Sequence, residues 1–290
     1  MVFMVGDKNL KKERFVNLLS EIPLNVWEEI VKNEPEWRLM EQFYDKFDFG
    51  PLSVLMVATG LNDYQLKGDA EIYWCSIQKN LKGLNNNTSI DEIRKSLRNF
   101  YDNERLQNRK RERLKSFLDS KLASEELWNS SPEEVSRKFQ DIWVELANAM
   151  KQNKKDKTIV FAMKSLGILL LMAKEKQNVQ LPDFPKIEIP VDSRIRKFTE
   201  KLSGRDLTSG KYEEIQDFWS EVLNQLNEKY RSKGVWKNIT MIHLDSLIWQ
   251  ITPSIEQGCQ EVCIEYFTNL RITEIGEKLC ALMSDPNKTS

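Results

Sequence analysis

A chain of 290 residues, 40% hydrophobic and 30% charged, is long enough to bury one large core or two smaller ones, which excludes a disordered or fibrous polymer. Its 43 Lys and Arg stand against 44 Asp and Glu, so a net charge of −1 excludes global attraction to a polyanion and leaves any nucleic-acid surface to a local patch. One histidine and four cysteines (Cys75, Cys259, Cys263, Cys280), none spaced Cys-x-x-Cys, give no support to a zinc site, an iron–sulfur cluster or a disulfide framework, and fit a reducing cytoplasm.

The amino terminus has a short apolar stretch but not the longer core and cleavage site of a signal peptide, and the longest apolar run, Ile168 to Ala173, is far short of a bilayer span. A soluble intracellular protein with no membrane partner is expected. Nearly every segment has a period of 3.6 residues, which predicts an all-α fold. Leu10, Phe15, Leu18 and Leu19 share the face of a first helix that Pro23 ends, and Asn25 is placed to cap a second. Pro35 restarts the chain, Gly50-Pro51 breaks it before the apolar run SVLMVATG, and DAEIYWCSIQKNL follows as the next helix. Ser89 with Glu92, and Ser131 with Glu134 behind Pro132, have capping-box spacing.

Between those two starts lies RLQNRKRERLKSF, with Arg109, Lys110 and Arg111 at its centre. It reads either as a solvated helix face or as a patch that contacts phosphates. The helix through Phe139, Trp143 and Leu146 then meets another starting at Lys157, and the short polar turn between them, which holds Lys154 and Lys155, predicts a helical hairpin over residues 147–164. QNVQLPDFPKIEIPVD reads as an extended linker, Asp192 as the cap of the next helix, Tyr212 to Lys229 as a long helix and Thr240 as another cap; two final helices end near Met283.

Lys157 opens its helix, where the macrodipole disfavours a positive charge and so favours the neutral, nucleophilic amine; taken alone it reads first as one more surface lysine. Asp192 reads as a rigid, ionised helix cap whose second oxygen remains available to a developing cation. In HLDSLIW, Asp245 and Trp249 are four residues apart on one face, which suits stacking on a planar ligand while the acid bonds its edge, although core packing accounts for a tryptophan just as well. His243 reads as structural, and the absence of a glycine-rich phosphate loop argues against nucleotide hydrolysis.

In order and spacing, KTIVFAMK, IPVDSRIRKFT and MIHLDSLIW, with DYQLKGDAEIYW upstream, resemble the archaeal 8-oxoguanine DNA glycosylases of the helix-hairpin-helix superfamily. The resemblance implies a bifunctional DNA glycosylase and lyase without cofactor or metal, folded as two helical subdomains with the active site in the groove between them. Residues 1–50 with 184–290 would form one subdomain and 51–183 the other. Lys157 matches the family's nucleophile and Asp192 its catalytic aspartate. Lys164, Asp245 and Trp249 match pocket positions, and Trp74 an aromatic that would sandwich an extruded base with Trp249. Glu36 departs from the glutamine usual at its position. Lys154 and Lys155 stand where the wider superfamily has a glycine-bearing, DNA-contacting hairpin. The implied partner is DNA carrying 8-oxoguanine, a monomer suffices for one lesion, and a non-catalytic helical nucleic-acid-binding protein is the alternative.

Overall fold

The computed structural model describes residues 3–179, 181, 187–207, 211–235 and 238–284, and among them the chain is helical with no strand, as the 3.6-residue period predicts. Two compact units emerge: Met1–Lys32 with Glu188–Ser290, and Asn33–Ile187. The division falls after Lys32, so the helix that begins at Pro35 belongs with the residues that follow it.

In the first unit α1 (Phe3–Leu19) and α2 (Leu24–Lys32) join α11 (Ser193–Ser203), α12 (Tyr212–Ser232), α13 (Met241–Gln257), α14 (Gln260–Asn269) and α15 (Thr273–Met283). Its core is aromatic: Phe15 meets Phe198 and Trp219 edge to face, with centroids 5.7 and 6.0 Å apart, an arrangement that adds specificity to apolar burial. The buried polar tips are satisfied, since the Trp219 indole donates to the Thr199 hydroxyl and that of Trp27 to the Tyr230 hydroxyl, both at 2.8 Å. His243 is a buried structural residue, its Nδ1 2.7 Å from the Thr240 hydroxyl in the capping box that starts α13. Asn25, however, lies inside α2 rather than ahead of it, because the helix begins at Leu24 directly after Pro23.

A second expectation fails in this unit. Cys263 on α14 and Cys280 on α15 form a disulfide, with Cα atoms 6.8 Å apart, while Cys75 and Cys259 are free. The two helices approach closely because Gly276 faces Phe267: a Cβ at Gly276 would lie 2.4 Å from that of Phe267. Cysteine spacing along the chain does not reveal a pairing set by helix packing.

The second unit contains α3 (Pro35–Phe43), α4 (Phe49–Gly60), α5 (Ala70–Leu81), α6 (Ile90–Tyr101), α7 (Gln107–Leu118), a π-helical turn (Leu122–Leu127), α8 (Pro132–Arg137), α9 (Phe139–Ala149) and α10 (Lys157–Gln177). Both predicted capping boxes are present at the starts of α6 and α8. At the centre, α4, almost wholly buried, packs on α10, which is buried round most of its girth from Thr158 to Ala173, and this explains why neither shows an amphipathic pattern. Gly60 permits the approach, because a Cβ there would be 2.8 Å from the Ala162 Cα. The linker prolines Pro182 and Pro185 lie outside the described residues; Ile187 to Val191, which are described, are non-helical, as expected of that segment.

Among the described residues no helix is long and apolar enough to cross a membrane, and no group of three or more His, Cys, Asp or Glu could hold a metal ion.

Candidate active site

The turn between α9 and α10 is built from local hydrogen bonds, and these determine how Lys157 is presented. Lys151 takes a left-handed conformation, φ 51°, and the Gln152 N–H donates to the Ala147 carbonyl at 2.9 Å. The Asn153 N–H donates to the Asp156 carboxylate at 3.1 Å, so Asp156 closes the turn instead of capping α10 with its side chain. Lys157 is then the first residue of α10, half-buried, with Nζ 5.3 Å from the centroid of the Phe161 ring one helical turn on. It makes no ion pair among the described residues, and it stands at the helix end where a positive charge is least favoured. On the same turn Lys154 is exposed, its ammonium 5.2 Å from the Trp143 ring centroid, and Lys155 is half-buried.

Seven residues along α10, Lys164 is 2% exposed and its ammonium lies 3.0 Å from the carboxylate of Glu34, itself 1% exposed. Two more carboxylates are near. Glu36, on the first turn of α3, is 3% exposed, and its Oε2 is buried without a hydrogen-bond partner. Asp63, in the segment after α4, accepts the Trp74 indole N–H at 3.1 Å. Loss of solvent pushes the Asp63 carboxyl up to about 6, against the lowering effect of that hydrogen bond and of Lys164, Lys157 and Lys110. Burial, reinforced by Glu34 and Asp63 and opposed by Lys164, drives Glu36 well above the usual carboxylate range.

In the first unit, Asp192 caps α11, its Oδ1 accepting the Ile195 N–H at 2.8 Å. Its side chain makes no further hydrogen bond among the described residues. On α13 Asp245 is buried and Trp249 half-buried. The Arg194 guanidinium, two residues after Asp192, lies 4.4 Å from the Trp249 ring centroid and so orders one face of that indole.

Two expectations are corrected by burial. Trp74 is 1% exposed, edge-on to Tyr73 at 5.5 Å and tied to Asp63, so it offers no open stacking face; the half-buried ring beside Lys157 is Phe161. Lys110 is 0% exposed, its ammonium 3.2 Å from Glu104 and about as close to the Tyr73 ring as to that of Tyr64, at 5.5 and 5.6 Å. Held there, it cannot reach a phosphate. Arg111 pairs with Asp102, which leaves Arg109 as the exposed member of the three. Lys110, Leu114 and Phe117 share the i, i+4, i+7 face that α7 buries, a signal that the polar run conceals.

Glu34, Asp63, Phe161 and Arg194 were not singled out by sequence reasoning. Phe161 could have been found at i+4 from Lys157; Glu34 and Asp63 meet Lys164 only through tertiary packing.

Comparison with known proteins gives a consistent result. The AGOG family model, described as N-glycosylase/DNA lyase, matches residues 16–278. A relative named N-glycosylase/DNA lyase from Methanopyrus kandleri is 26% identical over 218 residues, covering 74% of this chain and 78% of its own. Another of that name from Nanoarchaeum equitans is 28% identical over 198 residues, covering 68% and 73%. The crystal structure of an 8-oxoguanine DNA glycosylase from Pyrobaculum aerophilum, complexed with 8-oxoguanosine, is similar in fold, with TM-score 0.63, 18% identity and coverage of 85% of this chain and 89% of that one.

Proposed function

The chain belongs to the AGOG family, N-glycosylase/DNA lyase, and from that premise we propose that it excises 8-oxoguanine from DNA through a Schiff base on Lys157. The observation that carries the chemical assignment is the state of Lys157: half-buried, at the positive end of a long helix and outside any ion pair among the described residues. A reactive amine needs that combination, because an ion pair would hold the proton that the nucleophile must lose.

The damaged nucleotide is first extruded from the duplex, at a cost of a few kcal/mol in lost stacking that aromatic side chains such as Trp249 and Phe161 offset. The neutral Lys157 amine attacks C1′ of the deoxyribose, forming a C–N bond as the bond from C1′ to the base breaks, and the base leaves with the electron pair and takes up a proton. Opening of the sugar ring gives the imine. Loss of a C2′ proton then expels the 3′ phosphate by β-elimination. Asp192, anchored by its helix cap, stabilises the cationic character that develops on the sugar. Glu36, Lys164 and Asp245 contribute polar pocket positions, as the family resemblance implies, and Trp74 is tied to Asp63 within the second unit. Lys154, Lys155 and Arg109 contact phosphates. Cleavage of one lesion at a time requires only a monomer, acting in the cell compartment that holds the DNA.

The test is incubation with a duplex oligonucleotide carrying one 8-oxoguanine, in the presence of borohydride. A covalent complex formed by the wild type and lost in Lys157→Ala is the expected outcome; equal trapping by Lys157→Ala would refute the assignment.

A further inference from the structure

The turn between α9 and α10 contains no glycine, and Lys151 takes the left-handed conformation, φ 51°, that a glycine would adopt without steric cost. Short-range bonds close its later half: the Lys155 N–H donates to the Asn153 side-chain oxygen at 2.9 Å and the Asp156 N–H to the Asn153 carbonyl at 3.0 Å. Such bonds give this half of the turn its shape but do not fix it to α9. Trp143 does. It is buried on α9, eleven residues ahead of Lys154, and its indole N–H donates to the Lys154 carbonyl at 2.7 Å. The same lysine is held a second time, because its ammonium lies 5.2 Å from the centroid of the Trp143 ring.

A lysine side chain on a protein surface samples many rotamers, and it loses that freedom when it binds an anion. An aromatic face against the ammonium removes part of the freedom beforehand, and it leaves the other N–H donors of the ammonium to a second partner. Lys154 is exposed, so the cation seated on Trp143 is open to a phosphate. Three residues on is Lys157, so the turn is pinned close to the nucleophile along the chain.

We propose that Trp143 is the positioning residue of the hairpin: by pinning the Lys154 carbonyl and seating the Lys154 ammonium, it presets one cation for a DNA phosphate beside the reacting lysine. It acts through Lys154 and not on the reacting atoms. This rests on the glycosylase reading above, and it assigns within that reading the side chain that gives a turn without glycine its fixed shape. No bond is made or broken.

The test is a double-mutant cycle on binding of an undamaged duplex oligonucleotide, read by fluorescence anisotropy over a range of salt concentrations. Trp143→Phe keeps an aromatic face and removes the N–H, whereas Lys154→Ala removes the cation. Lys154→Ala is expected to make the slope of log affinity against log salt shallower by about 0.9, the mark of one lost phosphate contact. Trp143→Phe is expected to weaken binding about fivefold when Lys154 is present, as one net hydrogen bond is worth, and by less than about twofold in Lys154→Ala. An equal loss in both backgrounds, which general damage to the fold would give, overturns the proposal. So does no loss in either, or a salt slope that Lys154→Ala leaves unchanged. Should Trp143→Phe fail to fold, judged by its thermal transition, the tryptophan analogue with sulfur in place of the indole N–H, placed at position 143 alone, makes the same comparison with the ring shape kept. Borohydride trapping by the wild type on a duplex with one 8-oxoguanine checks the glycosylase reading separately. Trapping together with equal losses overturns the role of Trp143 alone, and no trapping overturns both.

Discussion

The first turn of α10 and the turn around Lys164 carry the same residue type to opposite ends. Both lysines lie on one helix, seven residues apart and so on nearly the same face. Lys157 is half-buried, over an aromatic ring and without an ion pair among the described residues. Lys164 is 2% exposed and held by Glu34. Burial alone therefore does not make an amine reactive. A buried ammonium beside a buried carboxylate is held by its partner, whereas one at a helix N-terminus with no ion pair lacks that hold. In the proposed mechanism the deeper lysine is the fixed partner of Glu34 and the shallower one the nucleophile.

Substitution should separate the two roles. Lys164→Ala leaves the Glu34 carboxylate buried and unpaired, which should cost about 3–5 kcal/mol of stability, read from the denaturation midpoint. Lys157→Ala should change it by no more than about 0.5 kcal/mol. Equal destabilisation by the two would remove the basis for the comparison.

A smaller effect comes from the carboxylates around Lys164. Asp63 titrates at about 6 in the folded chain, so between its unfolded value near 4 and that point the native state binds more protons than the unfolded one. The derivative of unfolding free energy with pH is then negative, and stability should fall as pH rises through this window. The loss assigned to Asp63 is about 1–2 kcal/mol after allowance for its partial exposure. Glu36, raised by the same burial, extends the decline to higher pH. Urea denaturation from pH 4 to pH 8 measures it, with Glu36→Gln expected to flatten the upper part of the curve. Stability that increases across this range would contradict the burial of these acids.

How much of this was legible in the chain depends on the range of the interaction. The caps at Ser89, Ser131, Asp192 and Thr240 each join a side chain to a group three residues away, so their spacing is visible in the sequence. The hairpin before Lys157 was visible for the same reason. The Glu34–Lys164 pair spans 130 residues and the Cys263–Cys280 bridge is set by the packing of α14 on α15; neither leaves a local mark. Lys110 was misplaced because the charged neighbours around it in sequence outweigh the buried helical face it shares with Leu114 and Phe117. Lys157 and Asp192 owe their assignment to motif resemblance, and their local structure supplies the physical reason for it.

The central claim is that Lys157, and not its buried neighbour, forms the covalent bond to DNA. The most direct measurement is borohydride trapping on a duplex with one 8-oxoguanine, followed by proteolysis and mass spectrometry of the cross-linked peptide. The reduced sugar adduct is expected on Lys157 alone; an adduct on Lys164, Lys154 or Lys155 with Lys157 unmodified would contradict it.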